Sequence, residues 1–396
     1  MNHDKQILLL TKCARLFAYG LLSVVLVLYL TGLGLSEAQT GLLFTLTLAG
    51  DAAISLLLTT RADRLGRKRM LIAGSVLMAG AGIVFASTGS FLILAIAGTI
   101  GVISPTGNEV GPFLSIEQAS LSHIISPSER TKVFAWYALA GSLSTAAGAL
   151  CGGALTEALS GGARDVVILY SISGAILALL FSRLSREVEV SEPPIASAFG
   201  VPRSKAVVTK LSALFALDAF GGGFVVQSFA AYWFYLRWGV SPATLGAIFF
   251  GANLFAAISA LLAARLAARF GLINTMVFTH LPSNVLLILV PLMPNLPLAI
   301  LVLLLRFSIS QMDVPTRQSY TMAVVPPEER SAVAGITGVA RTAGAAMAPI
   351  FAGLLFARPA WIDAPFYIAG ALKIAYDLLL YRAFISQTTD EPPGPS

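Results

Sequence analysis

Apolar runs of about twenty residues, long enough as helices to cross a hydrocarbon layer roughly 30 Å thick, recur along nearly the whole chain. Segments such as "LLSVVLVLYLTG" (21–32) carry no charge. Nothing else restricts the fold as strongly. The chain is 56% hydrophobic and 12% charged over 396 residues, with a mean hydropathy of +0.81. Twenty-six Lys and Arg with twenty Asp and Glu are too few to coat the surface of soluble domains of this total length. Helices satisfy their own backbone hydrogen bonds in lipid, so the expected class is an all-α polytopic membrane protein. The net charge of +6 then reports orientation in the bilayer rather than affinity for nucleic acid.

Runs bounded by Gly, Pro or charge predict twelve spans, at 7–33, 38–60, 70–88, 91–122, 131–156 and 166–183, and again at 208–236, 242–264, 272–293, 297–324, 331–356 and 362–384. This divides the chain into a first six-helix bundle (1–183), a polar linker (184–207), a second bundle (208–385) and a disordered tail (386–396). With both termini on one side, eighteen basic residues fall on that side and three on the other. Both termini are therefore expected in the cytoplasm, in an inner or plasma membrane. The start has a basic flank but no A-x-A-like cleavage site, and reads as a retained first span. Cys13 and Cys151 read as small buried residues.

The halves repeat. At an offset of 200, Gln118/Gln318, Pro127/Pro327, Glu129/Glu329, Arg130/Arg330, Val133/Val333, Gly153/Gly353 and Leu155/Leu355 coincide. At an offset of 205, Ser36/Ser241, Gly41/Gly246, Phe44/Phe249, Ala62/Ala267, Arg64/Arg269 and Gly66/Gly271 do. Two parallel six-span repeats place a solute path between pseudo-symmetric halves.

One loop breaks the apolar pattern. "TTRADRLGRKRML" (59–71) packs five basic residues into nine positions around Asp63. Its "ADRLGRK" resembles the signature loop between spans 2 and 3 of the major facilitator superfamily, with Asp63, Arg64, Gly66, Arg67 and Lys68 matching and Thr59 and Arg61 departing from the pattern. The resemblance implies a conformational gate in which Asp63 faces the start of span 11. The second-half copy, "RLAARFG" (265–271), has Ala268 in that position, so the latch is expected on one side only. In span 5, "GALCGG" is similar to a glycine motif of proton-coupled antiporters in this superfamily. Gly148, Gly152 and Gly153 match, Ala149 replaces its Pro, and small residues there favour close helix packing.

Ionisable groups inside spans cost at least ~2.5–3.5 kcal/mol each, which makes them functional candidates. They are Asp51, Glu109, Glu117, Asp218, Asp313 and Asp377 against Arg15, Arg306, Arg317, Arg341 and Lys373. Arg306, Ser310, Asp313 and Arg317 fall on one helical stripe, provided Pro315 does not break it. Lys373 and Asp377 are an i, i+4 pair. Arg15 and Asp218, at similar depth in spans 1 and 7, either bridge as a gate or snorkel. Span 4 is the least regular: Pro105, Gly107, Gly111 and Pro112 interrupt "GVISPTGNEVGPFLSIEQ" (101–118) around Asn108, Glu109 and Glu117. A broken span exposes backbone groups to a cavity, and a carboxylate stripped of water holds a proton more readily. Glu109 is the first candidate for coupling and Asp51 the second, while Glu117 is close enough to the loop to pair with Arg67. His123 and His280 read as unremarkable span-end residues. Tyr232, Trp233, Tyr235 and Trp238 read as an interfacial belt.

Together these features imply a monomeric secondary transporter that moves a small organic solute across the lipid bilayer by alternating access. Proton-coupled efflux is the leading expectation and proton symport the alternative, with a proton gradient and no bound cofactor. Arg306, Arg317 and Arg341 point to an anionic or zwitterionic solute. No P-loop and no embedded catalytic cluster is present, which argues against an ATP-driven pump or a membrane enzyme.

Overall fold

A computed structural model describes residues 3–126, 129–189, 204–326 and 329–384. The linker's centre, the tail and the repeated Pro127/Pro327 pair lie outside the described residues. Fifteen α-helices follow in order among the described residues: α1 His3–Gly32, α2 Glu37–Leu65, α3 Arg67–Ser87, α4 Phe91–Ile100, α5 Phe113–Ile124, α6 Arg130–Ala158, α7 Ala163–Ser182, α8 Lys205–Gly223, α9 Gln227–Trp238, α10 Pro242–Phe270, α11 Leu272–Leu289, α12 Leu296–Ser310, α13 Asp313–Ala323, α14 Arg330–Phe356 and α15 Ala364–Phe384. No strand occurs among the described residues. Among the described residues ten segments are long and apolar enough to cross a membrane, counting α8–α9 and α12–α13 as one each. The interrupted α4–α5 and the final α15 complete the twelve-span pattern.

The helices start and stop where local chemistry dictates. Ser36 caps α2 reciprocally: its Oγ accepts from Gln39 N at 3.2 Å, and its own N donates to Gln39 Oε1 at 2.9 Å. Asn295 Oδ1 accepts from Leu298 N at 3.0 Å at the head of α12. Gly66 and Gly271 hold φ of +103° and +83°, so one residue suffices to turn α2 into α3 and α10 into α11. The repeat is structural as well. Arg130 donates to Ser122 O and Arg330 to Met322 O, both at 2.9 Å and both eight residues back.

Contacts divide the chain into two compact units, residues 1–196 with 226–253, and residues 197–225 with 254–396. In the first unit, α1 is enclosed by α6 and α7, and α9 packs on it. Ser228 Oγ lies 2.7 Å from both Ser23 O and Pro105 O, and Gln227 Nε2 donates to Ser23 Oγ at 2.7 Å. Phe229 packs against Phe44 with tilted rings at 5.1 Å between centroids. These anchors explain why the outer part of span 7 clusters with the first unit. In the second, α8 packs along α14 and α11 along α15. Leu92, Ile83 and Val339 remain more than half exposed, the surface expected of helices that face lipid.

Candidate functional site

Three spans break into paired helices, and each break has identifiable causes. Span 4 opens between α4 and α5, where Gly107 and Gly111 have φ of +71° and +80°. Several of its freed backbone groups are paired, as apolar surroundings require. Tyr170 donates to Val102 O at 2.5 Å, Ser104 to Asn108 O at 2.8 Å, Tyr19 to Val110 O at 3.1 Å, and Gly111 N donates to Asp51 Oδ1 at 2.6 Å. Span 7 opens after Gly221–Gly223, an interruption that the sequence reading passes over. Span 10 opens at Gln311 and Met312, ahead of Pro315, which sits in the first turn of α13.

Beside the first break lies a buried ionic group in the first unit. Arg15 donates to both oxygens of Glu117, at 2.7 and 2.8 Å, and to Glu109 Oε2 at 3.1 Å. Lys12 pairs with Glu109, and Tyr137 donates to Glu117. Thr11 adds a bond to Glu117 at 3.2 Å. The Arg15 guanidinium rests on the Phe113 ring at 4.6 Å. Arg15 and Glu117 are wholly buried, and their forked geometry is the strong form of this pair. Asp51 is buried too, yet among the described residues no cation pairs with it. Asn108 is exposed.

The second unit carries the counterpart with the charges exchanged. In the first unit the cation is on span 1 and the acid on span 4; here the acid, Asp218, is on span 7 and the cation, Arg317, on span 10. Arg317 Nη1 bonds Asp218 Oδ2 at 3.1 Å and Asp313 Oδ2 at 2.9 Å, and Lys373 Nζ bonds Asp218 Oδ1 at 2.5 Å. His280 Nδ1 lies 2.8 Å from Asp377 Oδ1, and Asn284 Nδ2 donates to Asp377 Oδ2 at 2.9 Å. Arg306 and Arg341 stand within electrostatic range of Asp218 and Asp313, but the Nε of each is buried without a hydrogen-bond partner.

Several sequence expectations change here. Arg15 and Asp218 each pair within their own unit instead of snorkelling or pairing with one another. Glu117 bonds Arg15, and Arg67 bonds Asp63 at 2.8 Å. Lys373 and Asp377 part company, one joining Asp218 and the other His280. His280 is buried in a polar cluster, so it is no unremarkable span-end residue. The stripe on span 10 is interrupted, which leaves Arg317 with Asp313 and Arg306 apart. Trp233 is fully buried and Tyr232 nearly so, whereas Tyr235 is 43% exposed, so only part of the aromatic group is available to a belt. Cys13 and Cys151 are free and only half-buried.

The signature loop is built as follows. Glu189, just past α7, accepts from Arg67 N at 2.7 Å and Lys68 N at 3.1 Å, supplying an acid at the N-terminus of α3. Lys68 Nζ donates to Leu184 O at 2.8 Å and Arg67 Nη1 to Val188 O at 3.3 Å. Arg64 is exposed. The start of α14, the partner expected for Asp63, belongs to the other unit. In α6, a Cβ on Gly148 would strike Phe17 O and one on Gly152 would strike Leu21 O, both on α1, while one on Gly153 would strike Pro242 O. Lys12, Tyr137, His280 and Asn284 are the residues sequence reasoning missed. His280 and Asn284 do carry a signal, an i, i+4 polar pair in an otherwise apolar helix.

Residues 8–237 and 211–396 match the sequence profile of the Major Facilitator Superfamily. An uncharacterized membrane protein of Saccharomyces cerevisiae is 31% identical, over 97% of this chain and 94% of its own. Among solved structures, the nucleoside transporter NupG superposes with a TM-score of 0.76 at 13% identity, covering 98% of this chain and 100% of its own. An inward-facing bacterial homologue of the human lysosomal transporter Spinster gives 0.69 at 19%, covering 96% and 95%. The human organic anion transporter MFSD10 gives 0.67 at 18%, covering 95% and 98%. Twelve spans, a repeat carried into the geometry and a profile match along the whole chain agree: this protein belongs to the Major Facilitator Superfamily, and its architecture is that of a secondary transporter.

Proposed function

We propose that the protein couples protons to the export of a small organic solute by alternating access, with Asp51 carrying the proton and both termini in the cytoplasm. The observation that carries this reading is Asp51 itself. It is buried and held to Gly111 N at 2.6 Å at the break of span 4, and no described cation balances it. Glu109 and Glu117 are already neutralised by Lys12 and Arg15. In a medium that solvates charge poorly, a carboxylate needs a cation or a proton, and of these three only Asp51 has no cation paired with it among the described residues. This moves the proton-carrying role from Glu109 to Asp51, with Glu109 as part of the neighbouring network. Loading and unloading the proton changes the charge beside the break in span 4 and thereby biases the two access states. The span-5 glycines support the exporting direction through their likeness to the antiporter motif. Asp63 and Arg67, with Gly66 and Lys68, set the turn that acts as the gate.

The test is flux in proteoliposomes, with a solute found first by thermal-shift screening of metabolites and drugs. Asp51→Asn should lose uphill transport driven by a pH gradient while keeping solute–solute exchange. Wild-type uphill transport in that variant would reject Asp51 as the proton carrier. Accumulation in the same direction as proton flow would replace export with symport.

A further inference from the structure

The two ionic groups are not balanced alike. The first unit holds Lys12 and Arg15 against Glu109, Glu117 and Asp51, an excess of one acid. The second holds Arg306, Arg317, Arg341 and Lys373 against Asp218, Asp313 and Asp377, an excess of one base. A protonated His280 only enlarges that excess. These four cations are accounted for unequally. Lys373 and Arg317 spend their donors on Asp218 and Asp313. Neither Arg306 nor Arg341 has a bonded acceptor among the described residues, Asp218 and Asp313 acting on both only at longer range, and the Phe307 ring lies 5.0 Å from the Arg306 guanidinium carbon. Both sit deep in spans 10 and 11, half-buried, with an orphaned Nε. Guanidinium groups in such surroundings are stable when they meet an oxyanion, which their planar fork binds in two-point fashion.

We infer that Arg306 and Arg341 form the oxyanion-binding part of the solute site, and that the solute is a small organic anion. Arg317 takes no part in binding, because Asp218 and Asp313 already claim it. The Phe307 ring beside Arg306 supplies an apolar wall for the body of the solute. This inference rests on the transporter reading above but not on its proton carrier or its direction.

The experiment uses purified full-length protein in nanodiscs, without any gradient, and a size-matched set of probes: benzoate and benzenesulfonate as anions, benzamide as the neutral analogue and benzylamine as the cation. Binding is read by calorimetry and by the shift in thermal unfolding. The anions should bind and stabilise, and the other two should not. Arg306→Gln and Arg341→Gln should each weaken anion binding about tenfold or more, the loss expected for one charge-assisted contact, with Arg306→Lys intermediate. Size-exclusion profiles like the wild type's establish that these variants fold. Equal binding of benzamide and benzoate, Gln variants that bind benzoate as the wild type does, or no anion binding at all would each overturn the inference. Anion binding together with failed proton coupling would reject the proposed coupling alone, and proton-driven flux of a neutral solute would reject this inference alone.

Discussion

Replacing Arg15 by Met strips Glu117 of the one cation bonded to it among the described residues while leaving Lys12 to balance Glu109. Both members of the pair are fully buried, so the variant forces a bare carboxylate to remain in the bundle with only the Tyr137 and Thr11 hydroxyls for company. Breaking a buried pair from one side costs about 3–5 kcal/mol. Glu117→Gln is milder, about 1–3 kcal/mol, because Arg15 keeps Glu109 at 3.1 Å. The double variant Arg15→Met/Glu117→Gln removes both charges together and should cost no more than Arg15→Met alone, a coupling at least as large as the Glu117→Gln loss, about 1–3 kcal/mol. Reversible unfolding of the detergent-solubilised protein in SDS, followed by tryptophan fluorescence, measures all three. Losses that add within about 0.5 kcal/mol, or an Arg15→Met loss below about 1 kcal/mol, would refute the pairing argument.

Three further outcomes are expected. Gly152→Val should destabilise by about 1–3 kcal/mol, since its side chain would enter the Leu21 backbone of α1; Gly80→Ala, on open helix surface, should stabilise by about 0.5–1 kcal/mol, and paired thermal-unfolding curves read both. Glu189→Gln removes the charge that caps α3 and should cost about 0.5–1 kcal/mol, less at high salt, measurable by the same SDS unfolding at two ionic strengths. Asp63→Asn should slow transport without lowering the yield of folded protein, and a normal flux would remove the Asp63–Arg67 pair from the gating account.

The break in span 4 was legible because Pro and Gly mark it directly, at Pro105, Gly107, Gly111 and Pro112. The break in span 7 was not, although Gly221–Gly223 lie at it, because a run of glycines inside an apolar helix also reads as close packing. Ion pairs were harder still. Spacing along one helix suggested Lys373 with Asp377, but helix partners four residues apart compete with partners on neighbouring helices. Here Asp218 and His280 lie closer to the ends of those side chains. His280 looked ordinary because nothing in a linear sequence reveals that α11 lies along α15.

What the sequence determined by itself is whatever follows from periodic burial and local chemistry. Twenty-residue apolar runs admit only helices in lipid, the repeated loop residues make two like halves, and Gly66 and Ser36 turn and cap the chain with no distant help. The tertiary structure alone decided which charge meets which, and so which are left over. Asp51 and the two guanidiniums of Arg306 and Arg341 read in sequence like every other embedded charge. They differ only because their neighbours were taken by closer partners, and a buried charge is defined energetically by what stands within a few ångströms of it.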